Sequence, residues 1–226
     1  MNIYGLNVAS STENPNGRGG ILPKDRTFQY LPIEESRKLT LNAPTYREYC
    51  RKKGFTDMKL KDPDRRVHLD PEFTTFTYGH VWRGFGDYCL WDMESGDILF
   101  FYATLDLLPK RITWGLYIIG YFTIDHVVDT RKMSGDQIRR LKGFKKNAHL
   151  KRVNPEVGLL IKGSADSRLY QHAIQLSHPS DNHRVHPDFR RELTTVKGKP
   201  LVGNTWHRWL FHSQDRRLAE RLRRST

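Results

Sequence analysis

The chain has 226 residues, with 38 Lys and Arg against 25 Asp and Glu, which gives a formal net charge of +13. A balance this basic is typical of proteins that contact phosphate groups, although net charge says nothing about fold. The only cysteines are Cys50 and Cys89, which excludes a disulfide framework and a four-cysteine zinc site. No run of about 18 apolar residues and no signal peptide is visible, so we expect a cytoplasmic protein without a membrane partner.

The N-terminal part predicts one strand, one loop and one helix. Residues 3–8 alternate like a short strand and lead into a polar loop that ends at Gly20. That loop lacks the Lys-Ser/Thr ending of a P-loop, so a turn is favoured over a phosphate cradle. Residues 43–54, with Pro44 near the start and Gly54 at the end, predict a helix.

The strongest strand signal lies in the middle of the chain. Residues 97–102 and 114–124 are rich in aromatic and β-branched side chains, and a polar turn containing Pro109 separates them. They are predicted to pair as antiparallel strands at the heart of a sheet or barrel.

The C-terminal half predicts further short elements. Ser134 and Gln137 form a capping box at the start of a helix that buries Ile138, Leu141 and Phe144. A strand or loop over residues 158–164, a short helix over 167–176, a strand over 206–211 and a basic helix over 213–224 follow. Strands interrupted by helices at irregular intervals predict an α+β fold with a mixed, mainly antiparallel sheet or a small barrel and flanking helices. Nothing marks a linker, so residues 1–226 are expected to form one domain.

Two groups of cations are candidates for contacts with a nucleic-acid backbone. Residues 139–152 carry seven Lys or Arg and no acid, and the last helix is rich in Arg. Each phosphate contact would add salt dependence to binding, whereas the alternative is a solvated helix face or a cation that satisfies the helix dipole. The candidates are Arg139, Arg140, Lys142, Lys145, Lys146, Arg216 and Arg217.

Polar loops and tryptophans are candidates for nucleotide binding. A Gly-bounded loop before the predicted helix 167–176 offers backbone N–H groups, a hydroxyl and a cation to an anion, with an ordinary N-cap as the alternative. Tryptophans beside the central strands could stack on a base, although a buried core is the usual place for Trp. The full set of candidates is Asn7, Ser10, Ser11, Arg18, Trp82, Trp91, Asp92, Trp114, Lys162, Ser164 and Arg168.

Histidines suggest a metal site or acid–base chemistry. His178, His183 and His186 lie in one Pro-rich segment, but their intervals match no standard zinc motif and exposed loop histidines are favoured. We therefore expect no metal site and no cofactor. His207 near the C-terminus could serve in acid–base catalysis, since histidine titrates near neutral pH.

Three stretches of the sequence together resemble one family. They are GGILP at 19–23 continuing to YLPI at 30–33, HLDP at 68–71, and GDILFFY at 96–102. These are similar to the N-terminal loop, the HxDP element and the GDLFLFF strand of the nucleotide modification associated domain, type three. The resemblance implies an association with systems that modify bases in nucleic acids.

A more distant resemblance concerns the layout of the strands. The opening strand and the two central strands are similar in order to PUA-like modules such as the EVE, ASCH and YTH domains. That resemblance implies a small PUA-like barrel with an aromatic-lined pocket for a modified base. A long insertion between the first strand and Gly96 departs from the pattern.

Two main functions fit these observations. The first is a binding module that recognises a modified or unpaired base in DNA or RNA, or a modified nucleotide, with cations holding phosphates and a polar and aromatic pocket reading the base. The alternative is an enzyme that acts on a nucleotide or on a base within nucleic acid. His68, Asp70 and His207 are its candidate acid–base groups, because His68 and Asp70 would face the same side of an extended segment unless they only hold a turn. A structural role in a larger basic assembly is a third possibility, supported by charge alone.

Overall fold

The structure, a computed structural model, describes residues 1–9, 16–35, 42–55, 58–81, 89–110, 113–178, 181–195 and 210–225. The strands are β1 (Ile3–Ala9), β2 (Gly19–Ile21), β3 (Thr77–His80), β4 (Ile98–Leu107), β5 (Trp114–Asp129), β6 (Leu159–Gly163), β7 (Arg168–Gln175), β8 (Ser177–His178), β9 (Asp181–Val185), β10 (Thr194–Thr195) and β11 (Leu210–Ser213). The helices are α1 (Tyr46–Lys53), α2 (Gly135–Arg139), α3 (Pro187–Arg190) and α4 (Arg216–Arg224), and a 3-10 turn covers Ala148–Lys151.

Nine of these strands form one mixed, mainly antiparallel sheet, which confirms the predicted α+β class. Their order is β10-β11-β1-β4-β5-β6-β3, with β2 beside β4 and β7 beside β5, and β8 and β9 pair separately. β1 and β2 run parallel to β4, and the other pairs are antiparallel. Across the described strands the sheet stays open, so it does not form the small barrel that the PUA-like resemblance implies.

The central pair β4 and β5 confirms the strongest sequence prediction. Ile98 of β4 lies opposite Thr123 of β5, and the pairing continues to the turn. Successive side chains of a strand point to opposite faces of the sheet, so Phe100 and Phe101 fill two different cores. This is why the strand is apolar at almost every position rather than at alternate ones.

Two predicted helices begin where the sequence places the signals, but only the first has the predicted length. α1 has a capping box formed by Thr45 and Glu48, and it ends at Gly54, whose φ of 70° suits a residue without a Cβ. α2 begins at the capping box of Ser134 and Gln137 but covers only five residues. The chain then turns, and residues 144 and 138 pack together in a separate small core over β6.

The predicted helix over residues 167–176 is wrong, because this segment is strand β7. Its buried residues Tyr170, Ala173 and Leu176 recur every third position, which imitates a helical period. The spacing comes from a bulge against β5, since Leu169 pairs with Gly120 while Ile174 pairs with Ile118. Four residues of β7 therefore stand against one residue of β5.

The C-terminal elements fit the sequence in part. β11 pairs with β1 and overlaps the end of the predicted strand 206–211, of which residues 206–209 lie outside the described residues. α4 confirms the predicted basic helix, with Asp215 as its N-cap. No described helix combines the length and the apolar character needed to span a membrane.

Candidate functional site

The HLDP segment lies against the outer edge of β3, the last strand of the sheet. The backbone N–H of Gly79 on this edge donates to Asp70 Oδ1 over 2.9 Å. The side-chain amide of Asn147, just before the 3-10 turn, donates to the same oxygen over 2.9 Å. Asn147 also accepts from the backbone N–H of His149 over 3.0 Å. The Asp70 carboxylate therefore holds the turn that carries His149 against the strand.

Two imidazole rings face the other oxygen of Asp70. His149 Nε2 lies 3.3 Å from Asp70 Oδ2, and His68 Nε2 lies 4.0 Å from it. The ring centroids of His68 and His149 are 4.7 Å apart, with the planes at 88°. Both Nε2 atoms and one carboxylate oxygen thus point toward a common volume.

A buried ion pair holds the far side of both rings. Glu35 Oε2 lies 2.8 Å from His68 Nδ1, and Arg152 Nη2 donates to Glu35 Oε1 over 3.0 Å. Arg152 Nη1 also lies 3.0 Å from His149 Nδ1. We call Glu35, His68, Asp70, His149 and Arg152 the polar centre. Their side chains are at most 9% exposed, so the charges within it depend on each other rather than on water.

Burial and pairing set the protonation of two members of the polar centre. Burial alone would raise the pKa of Glu35, but hydrogen bonds from His68 and Arg152 outweigh it and lower that pKa to about 2. Burial lowers the pKa of His149 below its ordinary value, and the hydrogen bond to Asp70 offsets this only in part. At neutral pH Glu35 is ionised and His149 is a neutral imidazole, which is able to take up a proton or bind a metal ion.

The same three inward-facing groups could hold a metal ion. His68, Asp70 and His149 each offer one ligand atom, and these atoms lie within 4.8 Å of one another. Imidazole nitrogen and carboxylate oxygen are ligands of zinc and other first-row metals. In the histidine-rich segment that the sequence singles out, the rings of His178 and His186 are 6.4 Å apart, and the side chain of His183 is outside the described residues.

The sequence identified two of the five members of the polar centre. His68 and Asp70 face the same volume, as their spacing predicts, whereas His207 lies outside the described residues. His149 and Glu35 gave no local signal. Arg152 belongs to a basic tract by sequence, yet its side chain is buried against Glu35, which lies 117 residues away in the chain.

The described tryptophans do not line one hollow. Trp91 packs against the core that contains Phe101, and the guanidinium of Arg131 lies 5.0 Å from its ring. Trp114 packs against the core on the opposite face of the sheet, with Arg18 5.3 Å from its ring. Arg18 is itself paired with an aspartate at 3.3 Å.

The loop at residues 162–164 was predicted to bind an anion because a helix was expected to follow it. Strand β7 follows it instead. Lys162 Nζ donates to the carbonyl of Thr75, and Ser164 Oγ accepts from a backbone N–H over 3.3 Å. The guanidinium of Arg168 lies 5.8 Å from the ring of Tyr121. These groups therefore have partners within the fold and lack a helix dipole to attract a phosphate.

The remaining nucleotide-binding candidates lie apart from the polar centre or outside the described residues. Asn7 is half-buried on β1 opposite Tyr102, and Asp92 is exposed. Those outside the described residues are Ser10, Ser11 and Trp82.

The predicted backbone-binding cations lie in two regions. Those from Arg139 to Lys146 are exposed and end one residue before Asn147 of the site, with Arg139 paired to Asp136 at 2.7 Å. We call Arg139, Arg140, Lys142, Lys145 and Lys146 the basic tract. Arg216 and Arg217 are exposed at the start of α4, where Arg217 pairs with the N-cap Asp215 at 2.8 Å.

A cleft lies beside the second region. Its volume is about 560 Å³. We call it the arginine cleft, and it is lined by Pro187, Asp188, Arg190, Arg191, Glu192 and Arg217. Because two carboxylates share it with three guanidiniums, its positive charge is partly cancelled.

Comparison with known protein families identifies the family of the chain. A family model described as nucleotide modification associated domain 3 matches residues 4–224, nearly the whole chain. No curated protein and no solved structure matches the chain.

Proposed function

The chain belongs to the nucleotide modification associated domain 3 family, and we propose that it is an enzyme acting on a nucleotide or on a base within nucleic acid at the polar centre. The observation that carries this proposal is the convergence of His68 Nε2, His149 Nε2 and Asp70 Oδ2 on one volume. Each of these groups is fixed by a hydrogen bond: His68 donates to Glu35, His149 accepts from Arg152, and Asp70 accepts from the backbone N–H of Gly79. Such fixed orientation is what catalysis needs and what a surface histidine lacks.

The chemistry available there is transfer of a proton to or from a substrate or a water molecule. Because Arg152 donates to its Nδ1, a neutral His149 carries its proton on Nε2, beside Asp70, and can donate it. When His68 Nδ1 donates to Glu35, His68 Nε2 has the lone pair that can accept a proton. His68, oriented by Glu35, offers a second nitrogen 4.0 Å from the same carboxylate. Two oriented imidazoles beside one carboxylate can divide the roles of base and acid, as hydrolysis or group transfer on a base requires.

The basic tract gives this centre a natural substrate class. Its cations are exposed and run directly into the segment that supplies Asn147 and His149. Cations that bind phosphates would therefore be followed directly in the sequence by the residues of the polar centre. Because the three inward-facing side chains are only 3 to 6% exposed, an intact duplex could not reach them, and a substrate would have to be an unstacked base or a nucleotide admitted by local movement.

The test compares products from oligonucleotides and nucleotides, with natural and modified bases, by mass spectrometry. Wild type should convert at least one single-stranded or mismatched substrate. His149→Ala and His68→Ala should lower turnover by about 10²- to 10⁴-fold, the usual contribution of a general acid or base. His172→Ala, which removes an exposed histidine elsewhere, should leave turnover unchanged. Product profiles that are empty for wild type over the whole substrate panel would retire the proposal.

The second candidate is a binding module for a modified or unpaired base, and the low exposure of the polar centre favours it. In that case the centre only fixes the edge of β3, and the basic tract provides affinity without turnover. Binding to single-stranded oligonucleotides should then weaken steeply with salt, with a slope of about 0.7 per phosphate contact in a log–log plot. His149→Ala would leave this binding unchanged, and salt-insensitive binding would exclude the module.

A further inference from the structure

We propose that His68, Asp70 and His149 bind one divalent first-row transition metal ion of the zinc type through His68 Nε2, His149 Nε2 and Asp70 Oδ2. The inference deepens the proposed function, because the ion would supply a Lewis acid or a bound water of lowered pKa to the same centre. Its binding can be measured without any assay of activity.

The spacing of the donor atoms fits such an ion. Metal–ligand bonds of about 2.0 to 2.2 Å in a tetrahedral site place neighbouring ligand atoms about 3.3 to 3.5 Å apart. Asp70 Oδ2 lies 3.3 Å from His149 Nε2 and 4.0 Å from His68 Nε2. The three donor atoms lie within 4.8 Å of one another. Both rings would therefore move inward on metal binding, His68 Nε2 by about half an ångström toward Asp70 Oδ2, and a water would take the fourth position.

The hydrogen bonds of His68 call for a cation in this volume. When Nδ1 carries the proton and donates to Glu35, Nε2 presents a lone pair toward an oxygen of Asp70 at 4.0 Å. Two acceptors that face each other without a hydrogen between them repel. A metal ion or an extra proton on His68 relieves this, and only the metal ion also uses His149.

The second shell of His68 matches that of metal-binding histidines, whereas the second shell of His149 would have to rearrange. A ligating histidine generally donates its other N–H to a carboxylate or a carbonyl, which Glu35 provides for His68. For His149 the carbonyl of Glu156 lies 3.3 Å from Nδ1, and Arg152 lies 3.0 Å from it. Because a guanidinium can only donate, His149 Nδ1 accepts from Arg152 and Nε2 carries the proton. Metal binding at Nε2 would therefore move this proton to Nδ1 and toward Glu156 and displace the Arg152 Nη1 donor, while Arg152 keeps its bidentate contact with Glu35.

N–H donors of the strand and the turn hold Asp70, mainly through Oδ1. Asp70 Oδ1 accepts from both Gly79 and Asn147 at 2.9 Å, and Oδ2, which has only a longer contact with Gly79 at 3.2 Å, is directed at the imidazoles. Gly79 leaves room for His149, because a Cβ there would lie 2.5 Å from its Cδ2. The strand, the turn and the HLDP segment thus converge to place three donors.

The experiment uses the full chain, stripped with a chelator and titrated with Co²⁺ and then with Zn²⁺. We expect visible Co²⁺ absorption typical of low coordination number that saturates at one equivalent and is abolished by one equivalent of Zn²⁺. Asp70→Asn and His149→Ala should weaken Zn²⁺ binding by more than about 100-fold, and Glu35→Gln by about 10- to 100-fold. His172→Ala is the matched control and should bind like wild type.

X-ray absorption spectroscopy of the Zn²⁺-loaded wild type identifies the metal ligands directly, so the test does not depend on variants that fail to fold. Two imidazoles and a carboxylate in the first shell support the inference, whereas fewer than two imidazoles, or unchanged affinity in folded Asp70→Asn, overturn it. Turnover without bound metal would overturn the metal site and leave the proposed function standing. One tightly bound Zn²⁺ without any turnover would support the metal site and overturn the proposed enzymatic function.

Discussion

The polar centre and the arginine cleft contain the same kinds of charged groups in opposite environments. In the polar centre the side chains of Arg152 and Glu35 are 9% and 0% exposed and form two parallel contacts. Beside the cleft, Arg217 and Asp215 make an equally short contact, but the arginine is 79% exposed. Water and salt screen the second pair and not the first. The environment of a charge, rather than the number of charges, therefore distinguishes a built site from an ordinary surface.

The largest expected difference is in stability. Arg152→Met should lower the free energy of unfolding by about 3 to 5 kcal/mol, because it leaves Glu35 buried without its cation. Arg217→Met, which breaks the exposed pair, should leave the urea midpoint unchanged. Urea denaturation followed by circular dichroism measures both. Equal shifts for the two variants would show that the two environments do not differ as described.

Acid should remove the contribution of Glu35 to stability. Its pKa is about 2 in the folded protein against an ordinary 4.5, so its ionisation stabilises the fold above about pH 4.5. That stability, about 3 kcal/mol by linkage, is lost as the pH falls from about 4.5 through about 2. Urea unfolding across this range should show a flatter pH dependence for Glu35→Gln than for wild type. Parallel curves for the two proteins would contradict the lowered pKa.

Crowding at Gly79 should disturb the polar centre by a smaller amount. In Gly79→Ala the new Cβ would stand 2.5 Å from His149 Cδ2 and 3.0 Å from Asn147 Oδ1. We expect a loss of about 1 to 3 kcal/mol in the free energy of unfolding, together with weaker Zn²⁺ binding. Gly135→Ala is the control, since its Cβ would meet nothing closer than 3.6 Å. A Gly79→Ala protein that binds Zn²⁺ like wild type would show that His149 can move without cost.

The sequence correctly predicted the elements whose signals come from residues close together along the chain. The capping box at Ser134 and Gln137 spans four residues, Pro44 and Gly54 bracket the first helix, and the apolar runs of β4 and β5 report burial on both faces. The segment of β7 was wrongly predicted as a helix, because a bulge against β5 spaces its buried residues at intervals of three, as in a helix. Local pattern and final structure disagree there because pairing with β5, rather than intrinsic period, sets which side chains are buried.

The polar centre could be predicted only in part because most of its contacts are distant in sequence. His68 and Asp70 are two residues apart and were identified, while Asn147 lies 77 residues from Asp70. No periodicity or short motif reports that Glu35 and Arg152 meet. The burial of Arg152 is likewise invisible in a run of cations, since composition alone cannot separate the one that turns inward from the exposed ones.

The smallest expected effect compares the basic tract with the arginine cleft as surfaces for phosphate. Lys145→Ala with Lys146→Ala should lower the log–log salt slope of binding to single-stranded DNA by about 1.4, for two lost phosphate contacts. Arg190→Ala with Arg191→Ala should change it by less than about 0.5, because Asp188 and Glu192 share the cleft and oppose an anion there. Fluorescence anisotropy at several salt concentrations measures both slopes. If the Arg190→Ala, Arg191→Ala variant shows the larger reduction in slope, phosphates bind beside α4 instead. The basic tract would then not be the surface that delivers a base to the polar centre.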